Sequence, residues 1–364
     1  MLWLTENYPP QKGGMAQSCD RIIYNLRKVG FQIHVIHFTN RGKPFEIYQE
    51  EGGSYVALPV YEDESHTLHI AYNFIKSRQL SMDIMVVFGG YLSMLAGPVY
   101  KAWFQCKMIL MVRGNDFDAA IFSPRKRKIL EDALRTATIT TCVSQQKRDQ
   151  IKLLFPENEC IYIPNGIDCT HWEITQNDRS YNPDWKKTNG RKLILGCFGH
   201  LKEKKGVDLL IDAFQSPGLR ESFMLLLIGE TEQQNIDTLT GMNVTFEHFP
   251  FMERLALIKY YLICDALIIP SHYDGMPNTL LEAGALGIPV IASDRDGMHD
   301  VLYDIKGLLF SPGNSVDLRK ALFEFKKLSD EERKQSGLDL KRNILERFNT
   351  MNETKAYEHL FKSL

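Results

Sequence analysis

Two carboxylates eight residues apart, Asp274 and Glu282, lie in the segment SHYDGMPNTLLEAGALGIPVIASDRDGMHD, residues 271–300. An apolar run ends near Ser271. Pro277 suits the first helical position, where its missing N–H costs nothing, and Gly287 suits the left-handed site just past a helix end. Asp274 then falls in a loop ahead of a helix running to Leu286. Glu282 falls about five residues inside that helix, roughly 7.5 Å along its axis. Backbone N–H groups at such a helix start attract a phosphate. A carboxylate one or two turns further in could accept hydrogen bonds from both hydroxyls of a ribose, and the loop carboxylate could do the same for another sugar. On composition alone, a cap-region acid and a solvated helix residue explain the pair equally well.

Two other groupings invite chemistry and are discounted. Asp294-Arg295-Asp296 spells D-x-D, a pattern that can hold a metal against a diphosphate, but a three-residue match in a loop after a strand reads as loop. Arg125-Lys126-Arg127-Lys128 heads a helix whose other face carries Ile129, Leu130, Ala133 and Leu134. That run reads first as a solvated face, and second as contact with a membrane surface or an anionic acceptor. The seven cysteines form no CxxC, so neither a disulfide framework nor a zinc site is expected, and a reducing cytoplasm suits them. No GxGxxG or GxxxxGK[ST] occurs, which argues against a dehydrogenase or a P-loop NTPase.

The elements that position these residues alternate between short apolar runs and helical stretches, the pattern of parallel sheets with crossover helices. The first series is Leu2–Leu4, Phe31–Phe38, Tyr55–Val60, Ile84–Phe88, Met108–Val112, Thr138–Val143 and Cys160–Ile163. The second is Leu193–Phe198, Phe223–Ile228, Val244–Phe249, Ala266–Pro270, Ile288–Ala292 and Gly307–Phe310. Helices are expected at Ala16–Val29, Val207–Phe214 and Thr279–Leu286, among others. Both series open on a strand, a glycine-bearing loop (Gly13-Gly14, then Gly199 to Gly206) and a helix. Parallel sheets of this kind bind ligands at their carboxyl ends.

A length of 364 residues exceeds what one core usually serves. Two Rossmann-like domains are therefore expected, 1–170 and 191–345, joined by a polar linker at 171–190. A helical C-terminal segment, 346–364, should pack back on the first domain. The charged fraction is 24% and the net charge −2, and neither half has the basic excess of a nucleic-acid binder. The uncharged stretch Ile84–Tyr100 is short for a membrane span and is broken by Gly89-Gly90 and Pro98, so it reads as strand and helix. Glu6, Pro9 and Pro10 come too early for a signal peptide.

From Gly275 onward the segment resembles the E-x7-E region of the retaining glycosyltransferases of family 4, which have the GT-B fold: an α/β architecture of two doubly wound, Rossmann-like domains facing across a cleft. Asp274 stands where that family has Glu, about 1.5 Å shorter in reach. Val143-Ser144 and Ile163-Pro164-Asn165-Gly166-Ile167-Asp168 are similar to the end of the family's first domain, and Tyr8-Pro9-Pro10 with Gly13-Gly14 to its opening loop. Arg113-Gly114-Asn115-Asp116 resembles a His-Gly-x-Asp turn beside the acceptor. Gly199-His200-Leu201-Lys202-Glu203-Lys204-Lys205-Gly206 resembles a Gly-Arg-Leu-x-x-x-Lys-Gly loop whose Arg and Lys hold a diphosphate. Lys205 aligns there, and His200 replaces the arginine, with only partial charge near neutrality and no guanidinium fork.

The resemblance implies catalytic roles for Lys205, Asp274, Arg113 and Asp116. It implies donor contacts from Gly13, Gly14, His200, Lys205, Met276, Asn278, Thr279, Leu280 and Glu282. The implied reaction moves a sugar from a nucleoside-diphosphate donor, UDP in preference to GDP, to a hydroxyl acceptor in glycan or glycoconjugate synthesis. Anomeric configuration is retained, protein charges serve in place of a metal, and no cofactor is needed. A cytoplasmic protein is expected, with peripheral membrane contact through Arg125, Lys126, Arg127 and Lys128 as its membrane option. Two alternatives stand beside this: an inactive homologue acting as partner of an active transferase, and a sugar phosphorylase or epimerase on the same fold.

Overall fold

The computed structural model describes residues 1–78, 82–187, 192–305 and 308–364. The chain divides into two compact units, Met1–Asn165 with Thr350–Leu364, and Gly166–Asn349. The sequence reading divides it instead at 170 and 346.

In the first unit the strands are β1 (Leu2–Thr5), β2 (Ile33–Phe38), β3 (Ile47–Glu50), β4 (Gly53–Leu58), β5 (Ile84–Phe88), β6 (Lys107–Val112), β7 (Ile139–Cys142) and β8 (Cys160–Tyr162). They form one sheet in the order β3-β4-β2-β1-β5-β6-β7-β8. Central strands such as IMVVF of β5 are buried along their whole length, as strands covered on both faces by helices must be. β3 departs from the expected series. It runs antiparallel on the sheet edge, pairing Ile47 with Val56 and Glu50 with Gly53. Its sequence IYQE has no apolar run, and its last three residues are exposed.

The second unit holds β9 (Leu193–Phe198), β10 (Phe223–Ile228), β11 (Phe246–Phe249), β12 (Ala266–Ile269), β13 (Val290–Ser293) and β14 (Leu309–Phe310). All neighbours are parallel, in the order β11-β10-β9-β12-β13-β14. That is the doubly wound order 3-2-1-4-5-6. Chain direction across the sheet reverses between β9 and β12, and in the first unit between β1 and β5. At such switch points the loops diverge and leave a crevice above the carboxyl ends of the strands.

The expected linker contains ordered helix, at Gln176–Ser180 and Asp184–Lys187. Its end, 188–190, lies outside the described residues, as does the start of the strand expected from Gly307. The helical tail breaks at Phe348-Asn349 into Asp330–Arg347, which starts on a Ser329/Glu332 capping box, and Thr350–Ser363. The last helix belongs to the first unit. Its Tyr357, Leu360 and Phe361 share a core with Ile22, Ile23 and Leu26 of the helix Gly14–Lys28. Arg21 grips Glu353 through two bonds of 2.9 Å. The stretch after β5 forms the helix Tyr91–Phe104. No helix among the described residues is long and apolar enough to cross a membrane.

Candidate functional site

The switch point of the second unit is built from the loops after β9 and β12. The first turns tightly through Glu203–Lys205 and ends on Gly206 with φ +74. That conformation suits glycine, and a Cβ there would stand 1.9 Å from the Pro270 carbonyl oxygen. The two loops are thus pressed together, and His272 N donates to Lys204 O at 3.0 Å. The approach brings Lys205 Nζ onto the Asp274 carboxylate as an ion pair. Both side chains keep access to solvent, 29% and 21% exposed. Next follows the helix Asn278–Leu286, closed by left-handed Gly287. Pro277 occupies its N-cap rather than its first turn, with φ −62 and ψ 130, and brings no side-chain acceptor.

Inside that helix Glu282 is only 3% exposed. A solvated helix acid is therefore excluded. Its carboxylate accepts from Arg254 Nε and from Tyr261 OH, both at 2.8 Å. Tyr261 packs edge-on against Phe198 and Trp172, and the Arg254 guanidinium lies 5.0 Å over Trp172. Burial and the adjacent carboxylate drive the Tyr261 hydroxyl far above its ordinary value, so it stays a proton donor. An ionised carboxylate accepts at about four lone-pair positions, which leaves Glu282 acceptor capacity beyond these two bonds.

The other residues assigned to the donor sit as follows. Met276 and Leu280 are buried, Asn278 and Thr279 half-buried, and the Leu280 amide donates to Pro277 O at 3.2 Å. His200 is half-exposed, its Nδ1 3.4 Å from Glu230 Oε2. In the D-x-D segment, His299 Nδ1 and Asp294 share a hydrogen bond of 2.5 Å. Asp296 is fully buried, with Arg295 Nε at 3.3 Å. No group of three His, Cys, Asp or Glu among the described residues is placed to hold a metal ion.

At the first unit's switch point a pocket of about 160 Å³ opens between the ends of β1, β5 and β6, with Asn7, Met15, Tyr91, Asn115, Asp116 and Lys126 in its wall. Gly13 caps the helix Gly14–Lys28 at φ 126, with open space where a side chain would stand. Asp116 accepts from the Arg113 amide at 2.9 Å and the Gly114 amide at 2.7 Å. Burial raises its pKa against the pull of those bonds. Glu6 was not singled out by sequence, yet it accepts from the Leu92 amide at 2.8 Å and caps the helix Tyr91–Phe104. Burial raises its pKa as well. A free acid just past the first strand is the only signal that marks it.

Arg113 is turned into the unit instead. It donates to Tyr357 OH at 3.0 Å and to Asn165 Oδ1, and its guanidinium lies 5.4 Å over the Phe88 ring. Of the basic run, Arg125 pairs with Glu64, Arg127 with Glu131 and Lys128 with Asp132. Lys126 faces the pocket.

The comparisons with known proteins agree across the chain. Residues 12–171 match the model of the Glycosyltransferase Family 4 and residues 180–338 that of the Glycosyl transferases group 1. The glycosyltransferase TuaC of Bacillus subtilis, named for teichuronic acid biosynthesis, is 24% identical over 100% of this chain and 98% of its own. A GDP-mannose-dependent alpha-(1-6)-phosphatidylinositol monomannoside mannosyltransferase of Mycolicibacterium smegmatis is 22% identical over 87% and 86%. Among solved structures, sucrose-phosphate synthase from Thermosynechococcus elongatus superposes with TM-score 0.82 at 17% identity, covering 100% of this chain and 99% of that one. Anabaena HepE in complex with UDP-glucose gives 0.79 at 16%, with the same coverage. With both halves matched in order and two doubly wound sheets in place, the chain belongs to the family 4 glycosyltransferases of GT-B fold.

Proposed function

We propose that this glycosyltransferase takes a nucleoside-diphosphate sugar as donor at the switch point of the Gly166–Asn349 unit and passes the sugar, with retention, to a hydroxyl acceptor held at the switch point of the first unit. The observation that carries the reading is the partly exposed Lys205–Asp274 ion pair beside the start of the helix Asn278–Leu286. A diphosphate carries more charge than one carboxylate, so it competes with Asp274 for Lys205. Asp274 is then released to accept hydroxyls of the transferred sugar. Glu282, oriented by Arg254 and Tyr261, accepts the ribose hydroxyls.

As the bond from the anomeric carbon to the diphosphate oxygen breaks, negative charge grows on the leaving group. Lys205 and the helix start stabilise it electrostatically. The acceptor oxygen bonds to the anomeric carbon on the same face, and its proton leaves with the departing diphosphate. His200, Gly13 and Gly14 keep the phosphate roles that the resemblance gives them. Asp116 lines the acceptor pocket. Arg113 acts through position, by tying the loop after β6 to the last helix.

The two nucleotide classes are both represented among similar proteins: HepE holds UDP-glucose, and the mycobacterial relative is named for GDP-mannose. UDP is the nucleotide favoured here. Calorimetry with UDP, GDP and their sugars, followed by product assay before and after EDTA, tests the reading. Binding of a nucleoside diphosphate at micromolar concentration and turnover that survives EDTA are expected. Turnover lost to EDTA and restored by Mn²⁺ would overturn metal independence, and absence of nucleotide binding would overturn the donor assignment.

A further inference from the structure

Two cavities of the first unit share one partition. The switch-point pocket has Tyr91 and Lys126 in its wall. A larger groove of about 540 Å³ has Glu64 and Arg125 in its own. These residues are joined to one another. Tyr91 OH donates to Glu64 Oε2 at 3.0 Å, Arg125 Nε donates to the Tyr91 oxygen at 3.2 Å, and the Arg125 guanidinium lies 5.3 Å from the Tyr91 ring. This bonded cluster stands between the pocket and the groove.

The two cavities differ in chemistry. The pocket sets Asn7, Asn115, Asp116 and Lys126, groups suited to hydroxyls, beside Met15, Met94 and Ile129. The groove runs between the helices Glu64–Ser77 and Tyr91–Phe104, over Leu68, Leu95, Ala96, Val99, Tyr100 and Trp103. Helix positions 95, 96, 99, 100 and 103 recur at intervals of three and four, one continuous apolar stripe. Such a stripe ordinarily faces a core, yet Val99 is 43% and Trp103 51% exposed. The groove's volume lies within the roughly 300–1,000 Å³ of cavities that enclose small organic ligands. A pocket with groups for hydroxyls, neighboured by an open groove with an apolar stripe, fits a molecule with one polar and one apolar end.

We infer that the acceptor is lipid-linked, its hydroxyl-bearing head in the pocket beside Asn7, Asp116 and Lys126 and its apolar chain along Val99 and Trp103. The inference rests on the proposed function for its acceptor site and adds the acceptor's class. Arg125 and Glu64 form an ion pair in the groove wall, which also carries Glu62, Asp63 and His69.

The test is calorimetry on the full chain with methyl, hexyl, octyl and decyl β-glucosides below their micelle-forming concentrations. Each methylene buried in the groove should lower Kd by about two- to fourfold. Val99→Trp fills the groove and Val99→Asp places a charge on its wall, and Val99 is exposed enough for the fold to tolerate either. Both variants should flatten the chain-length dependence and leave methyl glucoside unchanged. A Kd independent of chain length in the wild type overturns the inference, as does a slope that survives in both variants. So does a dimer that Val99→Asp dissociates, since a second copy would then cover the groove. UDP binding measured on the same samples reads the donor unit separately. A flat glucoside series with intact UDP binding strikes the lipid acceptor alone, and loss of UDP binding in the wild type strikes the donor reading.

Discussion

Asp274 is one methylene shorter than the glutamate it replaces in the family pattern, and its partner is a lysine, not solvent. If a diphosphate must displace that carboxylate to reach Lys205, neutralising Asp274 removes the competitor. Asp274→Asn is expected to tighten nucleoside diphosphate binding by up to about tenfold, the effect of one modest charge contact, while kcat falls because the sugar loses its acceptor. Calorimetry with the diphosphate and steady-state kinetics separate the two effects; weaker binding would show that Asp274 itself holds the diphosphate. Lys205→Ala should lower kcat/KM by about a hundredfold or more, as loss of a contact at developing charge does. Full activity in that variant would pass the role to another cation. At this scale the sequence identifies Glu282 as a carboxylate inside a helix, but not what orients it. Arg254 and Tyr261 lie 28 and 21 residues away in the chain, a distance no local pattern spans. Arg113 is legible only as a cation beside a turn, because the Tyr357 that claims it comes from the far end of the chain.

Among the elements, the strands that read as Val, Ile and Leu runs are those buried on both faces, and their limits shift by no more than a residue or two from expectation. β3 was illegible because an edge strand that faces solvent needs no apolar period. The loops at the carboxyl ends carry the narrower tolerances. Gly206 lies where any Cβ would strike Pro270 O, so Gly206→Ala should force the loop after β9 outward. A loss of more than about 1 kcal/mol in stability is expected, together with weaker nucleotide binding; an unchanged Tm would mean that the loop moves freely. Glu6 supplies a pH-dependent case. Its folded pKa is raised by burial, so the folded protein holds that proton more tightly than the unfolded chain. Stability from this group is present in acid and falls as pH rises from the ordinary carboxylate range through the folded value. Glu6→Gln keeps an acceptor for the Leu92 amide and removes the charge. It should raise Tm near pH 8 by about 2–4 °C, with the gain shrinking towards pH 4.5. A gain that is equal at both pH values would assign the effect to packing.

The first unit is assembled from both ends of the chain, and the second is inserted between them. Removing Thr350–Leu364 would strip Tyr357, Leu360 and Phe361 from the core beside Ile22 and Ile23, and would take Glu353 from Arg21 and Tyr357 from Arg113. Truncation at Asn349 is therefore expected to unfold the first unit while the second keeps a separate thermal transition, observable by calorimetric scanning. Two transitions unchanged by the truncation would make the last helix an ornament of the surface. Sequence alone marks that segment as helical, but its destination depends on a helix whose Arg21 lies 332 positions before Glu353. The arrangement also sets an order of events in the cell. A ribosome adds about 5–20 residues per second, so after Asn165 has emerged the first unit waits on the order of 10–40 s for its closing helix while the second is being made. During that interval its first helix shows an uncovered apolar face to the cell, and the second unit, whose chain is unbroken, can finish before the one that began first.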